Sequence, residues 1–353
     1  MQAVNQARLA RAKWASTTRR VDRKTARTLI CDPATKPSSG DLVLARIIEI
    51  GQHNTVELPE GRKASLYPGD EIVVCYGNRY APDQFEALVP PDLGKTNLAA
   101  AGGIASRVVL QHERMDAPTV IEPVGLLGNQ YGMPLNIRSF ALKHAGGRAM
   151  PVFAVFGTSM NAGKTTTVAR LVRGLTMAGY GVGAAKITGT GAGNDVWSMR
   201  DAGAISAYDF TDAGFATTYL SPVNEIIDGA RTLLAALAAD GAEVAVIEIA
   251  DGLFQEETAA IAAHRGFREM VTSCLFAACD SMGAVAGVRH LRDLGHHVAA
   301  VSGLVTRSPL GTREACSAGV PVLSALELAD PHIAEQHFGR LVQTQEIVLA
   351  RVG

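Results

Sequence analysis

The sequence predicts an α/β protein with a mostly parallel sheet over residues 151–353, preceded by a small β-rich, barrel-like domain over 41–145 and a basic N-terminal extension over 1–40. Three observations predict it. From Pro151 onward apolar strands alternate with longer helical segments, the rhythm of a parallel sheet with helices on both faces. Between residues 41 and 90 short alternating runs are separated by Gly, Pro and Asn turn signals. At 152–178 an apolar strand enters a glycine-bearing loop that opens into an amphipathic helix.

Taken in order, residues 1–28 carry eight Lys/Arg against one acid, Asp22, and read as a solvated, partly helical arm. Strands are expected at 42–50, 54–61, 62–77 and 85–90. Residues 98–145 are less periodic, and the Ala/Gly run 99–103 is poor strand material. Residues 145–151, Ala-Gly-Gly-Arg-Ala-Met-Pro, read as a linker. Strands then follow near 152–156, 182–187, 244–249, 271–277 and 298–304, with a short one at 321–323. Helices fall near 164–178, 195–204, 223–239, 281–294 and 326–340. In the first helix Val168, Leu171, Val172 and Leu175 recur at helical spacing, and Gly179 closes it.

Composition narrows the function classes. Hydrophobic residues are 47% and charged residues 19% of the chain, enough for packed cores and against global disorder. A net charge of −1 supplies no field to draw nucleic acid or an anionic membrane. No apolar run approaches the roughly 20 residues of a membrane helix, and no apolar leader opens the chain. The five cysteines are odd in number and dispersed, which reads as reduced thiols in a cytoplasmic protein. The nine histidines offer no metal set.

The chemistry is carried by GTSMNAGKTT, residues 157–166: Gly157, Thr158, Ser159, Met160, Asn161, Ala162, Gly163, Lys164, Thr165 and Thr166. A polyphosphate needs backbone N–H donors, which a tight loop feeding a helix N-terminus supplies along with the positive end of the helix dipole. Gly157 and Gly163 let the backbone approach the phosphates, Lys164 would reach the β/γ-phosphates, and the Thr165 hydroxyl would coordinate Mg²⁺. This is a P-loop with one spacer residue more than the general G-x4-G-K-[ST] pattern. Gly94-Lys95-Thr96 lacks a leading strand and an upstream glycine, so it is a decoy. The glycines at 189, 191 and 193 miss the dinucleotide fingerprint.

The spacing of this loop resembles the dethiobiotin synthetase-like family of P-loop NTPases, which also opens with Gly-Thr seven residues before the lysine. The resemblance covers about 151–330 and extends to Lys186 at a strand end and to AEVAVIEIADG, residues 242–252. Residues 193–204, GNDVWSMRDAGA, resemble instead a segment of the molybdopterin-guanine dinucleotide biosynthesis adaptor. The resemblance implies ATP or GTP with Mg²⁺ as cofactor, Thr165 and Glu248 as metal ligands, and Lys164, Lys186 and Glu248 as catalytic groups. It implies substrate contacts at Lys186, Thr188, Gly189, Asp195 and Asp251, nucleobase contacts at Thr306 and Arg307, and a homodimer. The β-rich region has no counterpart in dethiobiotin synthetase, so biotin chemistry itself is not implied.

The residues themselves leave plainer roles open. Glu248 could cap or pair, Asp195 could cap its helix, Asp280 reads as the cap of the helix from Ser281, and Trp197 and Met199 read as packing. Three functions remain in view: an Mg·nucleotide-dependent kinase or synthetase activating a small polar molecule, a regulatory NTPase with a protein partner, or an acyl-CoA-dependent N-acyltransferase on the same loop. Ser159 stands where partitioning ATPases carry their signature lysine, which disfavours the regulatory reading.

Overall fold

Continuous apolar runs such as 42–45 and 72–76, buried along their whole length, build the longer N-terminal strands, and the computed structural model describes residues 2–143 and 150–343. Most of the expected 145–151 linker therefore lies outside the described residues. The chain divides into two compact units: residues 1–142 with 189–194 and 210–220, and the remainder from 143 onward.

In the first unit the strands are β1 (Gln2–Ala3), β2 (Lys13–Trp14), β3 (Thr28–Ile30), β4 (Leu42–Glu49), β5 (Thr55–Glu57), β6 (Lys63–Ser65), β7 (Glu71–Tyr76), β8 (Arg79–Tyr80), β9 (Phe85–Leu88), β10 (Thr96–Ala100), β11 (Ile104–Gln111) and β12 (Thr119–Gly128). One helix, α1 (Gln6–Arg11), is capped by the Asn5 side chain. The pairings β12–β4, β4–β7, β7–β11, β11–β10 and β10–β12 return to their starting strand, a closed ring of five. Val43, Ile47, Ile72, Val74, Leu98, Ile121 and Leu126 form one of its apolar clusters.

Two expectations are corrected here. The segment 1–28, expected to be a solvated arm, is built into the unit: β1 pairs with β3, β2 pairs with β7, and Leu9, Trp14, Ala15 and Ala26 are buried. Several of its positive charges find acids distant in the chain, Arg8 pairing with Glu71, Lys13 with Asp70 and Arg19 with Asp212. The Ala/Gly run does contribute a strand, because Ala99 and Ala100 are buried and Gly103, at φ +103°, makes the turn from β10 to β11. A strand buried on both faces reads as a continuous apolar run rather than an alternating one.

The second unit carries a six-stranded, wholly parallel sheet. Its strands are β13 (Val152–Gly157), β14 (Val182–Lys186), β15 (Ser206–Asp209), β16 (Val244–Glu248), β17 (Ser273–Ala277) and β18 (Val298–Ser302), in the order β15-β14-β16-β13-β17-β18. The helices are α2 (Lys164–Met177), α3 (Asn194–Asp201), α4 (Val223–Ala239), α5 (Glu256–Ala263), α6 (Arg265–Met270), α7 (Ser281–Asp293), α8 (Pro309–Ala315), α9 (Ala325–Ala329) and α10 (Pro331–Ala334). Val168, Leu171, Val172 and Leu175 of α2 are fully buried, as their spacing requires. The four-residue edge strand β15 and the helices α5 and α6 carry too short a pattern to be read in advance. The single helix expected over 326–340 is broken at Asp330-Pro331, where Asp330 caps a new helix with Pro331 in its first turn. The segment expected as a strand at 321–323 makes only an isolated bridge, Val322 to Val301.

This strand order creates the site. From β13 the chain passes to β14, beyond β16; from β16 it passes to β17, beyond β13. The loops leaving the carboxyl ends of these adjacent strands thus diverge, and the crevice between such loops is where open α/β sheets bind ligands. Among the described residues no helix is long and apolar enough to cross a membrane.

Candidate functional site

Three neighbouring strands end in the residues that matter: β13 in Gly157, β14 in Lys186 and β16 in Glu248. Lys186 and Glu248 are register partners across β14–β16, and Val155 is the partner of Glu248 across β13–β16. Register alone therefore sets the lysine and the carboxylate side by side at the sheet's carboxyl edge.

The loop after Gly157 turns through Asn161, at φ +63°, and Gly163, at φ +99°, before α2 begins. Asn and Gly are the residues that tolerate this left-handed region. A Cβ on Gly157 would lie 2.8 Å from Lys164 Cγ, so glycine is what lets the lysine stem fold back over the strand end. No side chain caps the N-terminus of α2, which leaves its first amides for a ligand. Lys164 is 6% exposed, and its ammonium donates to the Ser159 carbonyl at 2.8 Å. Burial lowers its pKa, against the raising influence of Glu248 and Asp251.

Above the loop lies a cavity of about 360 Å³, lined by Met160, Asn161, Gly163, Lys164, Thr165, Thr166, Lys186, Asp195, Glu248, Ala250, Asp251, Leu304 and Arg307. Here the Thr165 hydroxyl donates to Glu248 Oε1 at 3.3 Å. Lys186 Nζ stands 3.5 Å from the same oxygen and is ion-paired with Asp195. Burial alone would lower the Lys186 pKa, but the Glu248 and Asp195 carboxylates outweigh it and raise it. Burial pushes the Glu248 carboxyl above the usual carboxylate range, with Lys186 pulling the other way. Glu248 is 2% exposed, and its Oε2 is buried with no hydrogen-bond partner among the described residues. An orphaned carboxylate oxygen in such a place is costly unless a cation or water completes it.

Among the described residues no group of three or more His, Cys, Asp or Glu side chains is placed to hold a metal. The donor set of one hydroxyl and one carboxylate suits Mg²⁺, which keeps several waters and takes its remaining oxygens from phosphate. The residues therefore fit that ion, and the unsatisfied Oε2 is the atom left to be satisfied.

Not every expected residue lines the cavity. Thr158 and Ser159 turn to Cys279: the Thr158 hydroxyl is 3.3 Å and the Ser159 hydroxyl 3.5 Å from its Sγ. Ala162 is buried, and Gly157 sits beneath Lys164. Thr188 is buried with its hydroxyl donated to the Ala250 carbonyl, and Gly189 belongs to the first unit. Thr306 donates to the Gly303 carbonyl at 2.8 Å, leaving Arg307 as the member of that pair in the cavity. Asp195 is neither lone cap nor free acid but the partner of Lys186, whereas Asp280 does cap α7, accepting from the Gly283 amide at 2.7 Å. Met199 is buried, and Trp197 lies under the Arg200 guanidinium, both in packing roles. The cysteines are free thiols. Ala250 and Leu304 enter the cavity unforeseen, because the path of the backbone rather than their chemistry puts them there.

No protein-family model and no curated protein sequence matches the chain. Solved structures similar to it include the signal recognition particle 54 kDa protein of Aeropyrum pernix K1 in complex with GDP, at 16% identity over 59% of this chain and 50% of that one, with a TM-score of 0.38. The signal recognition particle receptor FtsY of Elizabethkingia anophelis is similar at 18% identity over 56% and 68%, with a TM-score of 0.36. The cell division protein FtsY of Thermotoga maritima is similar at 17% identity over 56% and 72%, with a TM-score of 0.35. The chain spans half the length of the first of these. Likeness at this level carries nothing to the chemistry of this chain, and none of the three is a dethiobiotin synthetase.

Proposed function

We propose that the second unit binds an Mg·nucleotide and uses it to phosphorylate or otherwise activate a small polar molecule. One observation carries this reading: a lysine-bearing loop at a helix N-terminus without a side-chain cap opens into a cavity facing a buried glutamate whose Oε2 has no hydrogen-bond partner among the described residues. Loop spacing like that of the dethiobiotin synthetase-like family supports the same reading.

The geometry supports the following division of labour. The amides at the start of α2 cradle phosphate oxygens, and Lys164 exchanges the Ser159 carbonyl for the β/γ-phosphates. Thr165 and Glu248 hold Mg²⁺, which supplies charge neutralisation at the transferred group. Lys186, fixed by Asp195 and Glu248, presents a permanent positive charge on the substrate side. Asp251, in the cavity wall, takes a polar substrate, and Arg307, in the same wall, contacts the nucleobase. Catalysis of this kind is positioning and electrostatics rather than covalent chemistry by the protein. A cytoplasmic setting and a homodimer complete the proposal.

Thermal melting with ATP, GTP and acetyl-CoA, each with and without Mg²⁺, tests it. A nucleotide at about 100 times its dissociation constant should add roughly 2.7 kcal/mol. A melt raised only by acetyl-CoA, without need of Mg²⁺, would sink the phosphoryl-transfer reading in favour of acyl transfer.

A further inference from the structure

A second cavity, of about 400 Å³, adjoins the first and shares Thr165 and Thr166 with it. Its remaining walls are Ala169, Arg170 and Arg173 of α2 and Ser198, Asp201 and Ala202 at the end of α3. Arg170 and Arg173 are three residues apart and so share a face of the helix, where like charges repel. Neither arginine takes part in a hydrogen bond or ion pair among the described residues, not even with Asp201 across the cavity. α2 itself reads KTTTVARLVRGLTM: three cations, no acid, and no acid in its first turn. The positive end of the helix dipole reaches only the Thr165–Thr166 side of the cavity, in the first turn of α2. Two forked guanidinium groups, ion-paired with nothing among the described residues and facing the single carboxylate of Asp201, line a concavity continuous with the phosphate loop and form a receptor for an anion, which arginine binds bidentately.

We propose that this cavity binds a second anionic group, held by Arg170 and Arg173 while the phosphate loop holds the polyphosphate. The inference rests on the phosphate-loop reading and adds the charge class of what lies beside it. The shared chemistry is a carboxylate or phosphate. It is carried either by the acceptor substrate or by the ribose of the nucleotide.

Calorimetric titration of the full chain tests this with three probes: Mg·pyrophosphate, adenosine 3′,5′-bisphosphate against AMP, and succinate in the presence of Mg·ATP. A ribose-phosphate source makes the bisphosphate bind more tightly than AMP, whereas an acceptor source makes succinate bind. In either case Arg170→Gln combined with Arg173→Gln weakens that probe by at least about tenfold, the scale of one lost charge-assisted contact. The same double variant leaves Mg·pyrophosphate affinity within about twofold, since charge-assisted contacts to the loop remain. Asp201→Asn, which removes the opposing acid, strengthens the same probe, a gain that misfolding cannot mimic. The proposal is overturned if neither anion binds the wild-type protein or if the double variant binds both unchanged. Failure of Mg·pyrophosphate to bind the wild type strikes the phosphate-loop reading instead and is read separately.

Discussion

The Thr165 hydroxyl and the Glu248 carboxylate meet at 3.3 Å, although 83 residues separate them in the chain. One comes from the helix that follows β13 and the other from the end of β16, and the adjacency of those two strands is what brings them together. The other carboxylate oxygen, Oε2, is buried and has no hydrogen-bond partner among the described residues.

Glu248→Gln keeps the shape of this side chain and removes its charge. Nucleotide-induced stabilisation of the wild-type protein should be larger with Mg²⁺ than with EDTA. In the variant the two melts should coincide, with a loss on the order of 1.5–3 kcal/mol of the Mg²⁺-dependent part. A variant that retains the full Mg²⁺ dependence would remove Glu248 from the metal site.

Lys186 is the counter-charge of a carboxylate that is 2% exposed. Lys186→Met leaves Glu248 buried without its cation and should cost about 3–5 kcal/mol in urea unfolding, as broken buried pairs do. Adding Glu248→Leu should restore much of that stability while leaving the site inactive, because a well-packed apolar pair is close to neutral. Unfolding midpoints unchanged in Lys186→Met would show the pair to be unimportant to the fold.

In the first unit, burial pushes the His53 pKa down from 6.5 to about 4, and the Arg79 guanidinium beside it adds to the effect. Its Nε2 lies 3.4 Å from Arg79 Nη1. The unfolded chain binds this proton first as pH falls, so stability is full above about pH 6.5 and is lost progressively toward pH 4. The whole effect is at most ~3 kcal/mol. Urea titrations across this window should show a smaller pH slope in His53→Gln. An identical slope in the variant would assign the acid sensitivity to other groups.

Much of the second unit could be read from the sequence because its pattern is local. Val168, Leu171, Val172 and Leu175 repeat at helical spacing, and GTSMNAGKTT places its lysine at a helix start. What could not be read was set by partners distant in the chain. The arm at 1–28 looks solvated by charge alone, yet Trp14 is buried and Arg8 finds Glu71 across 63 residues. Ala99 and Ala100 lack alternation because β10 is enclosed on both faces. The site divides the same way: Lys164 and Thr165 are marked by their neighbours in sequence. That Lys186 is locked to Asp195 and Glu248, and that Thr188 and Thr306 spend their hydroxyls on backbone carbonyls, follows only from the register of β14 and β16 and the paths of the loops.

The most direct test is calorimetric titration of Mg·ATP and Mg·GTP into the wild-type chain and into Lys164→Ala. Binding of at least one nucleotide to the wild type is expected, weakened in the variant by about 1.5–3 kcal/mol, or roughly ten- to more than a hundredfold in affinity. Equal affinity of the two proteins, or no binding by the wild type, would contradict the account.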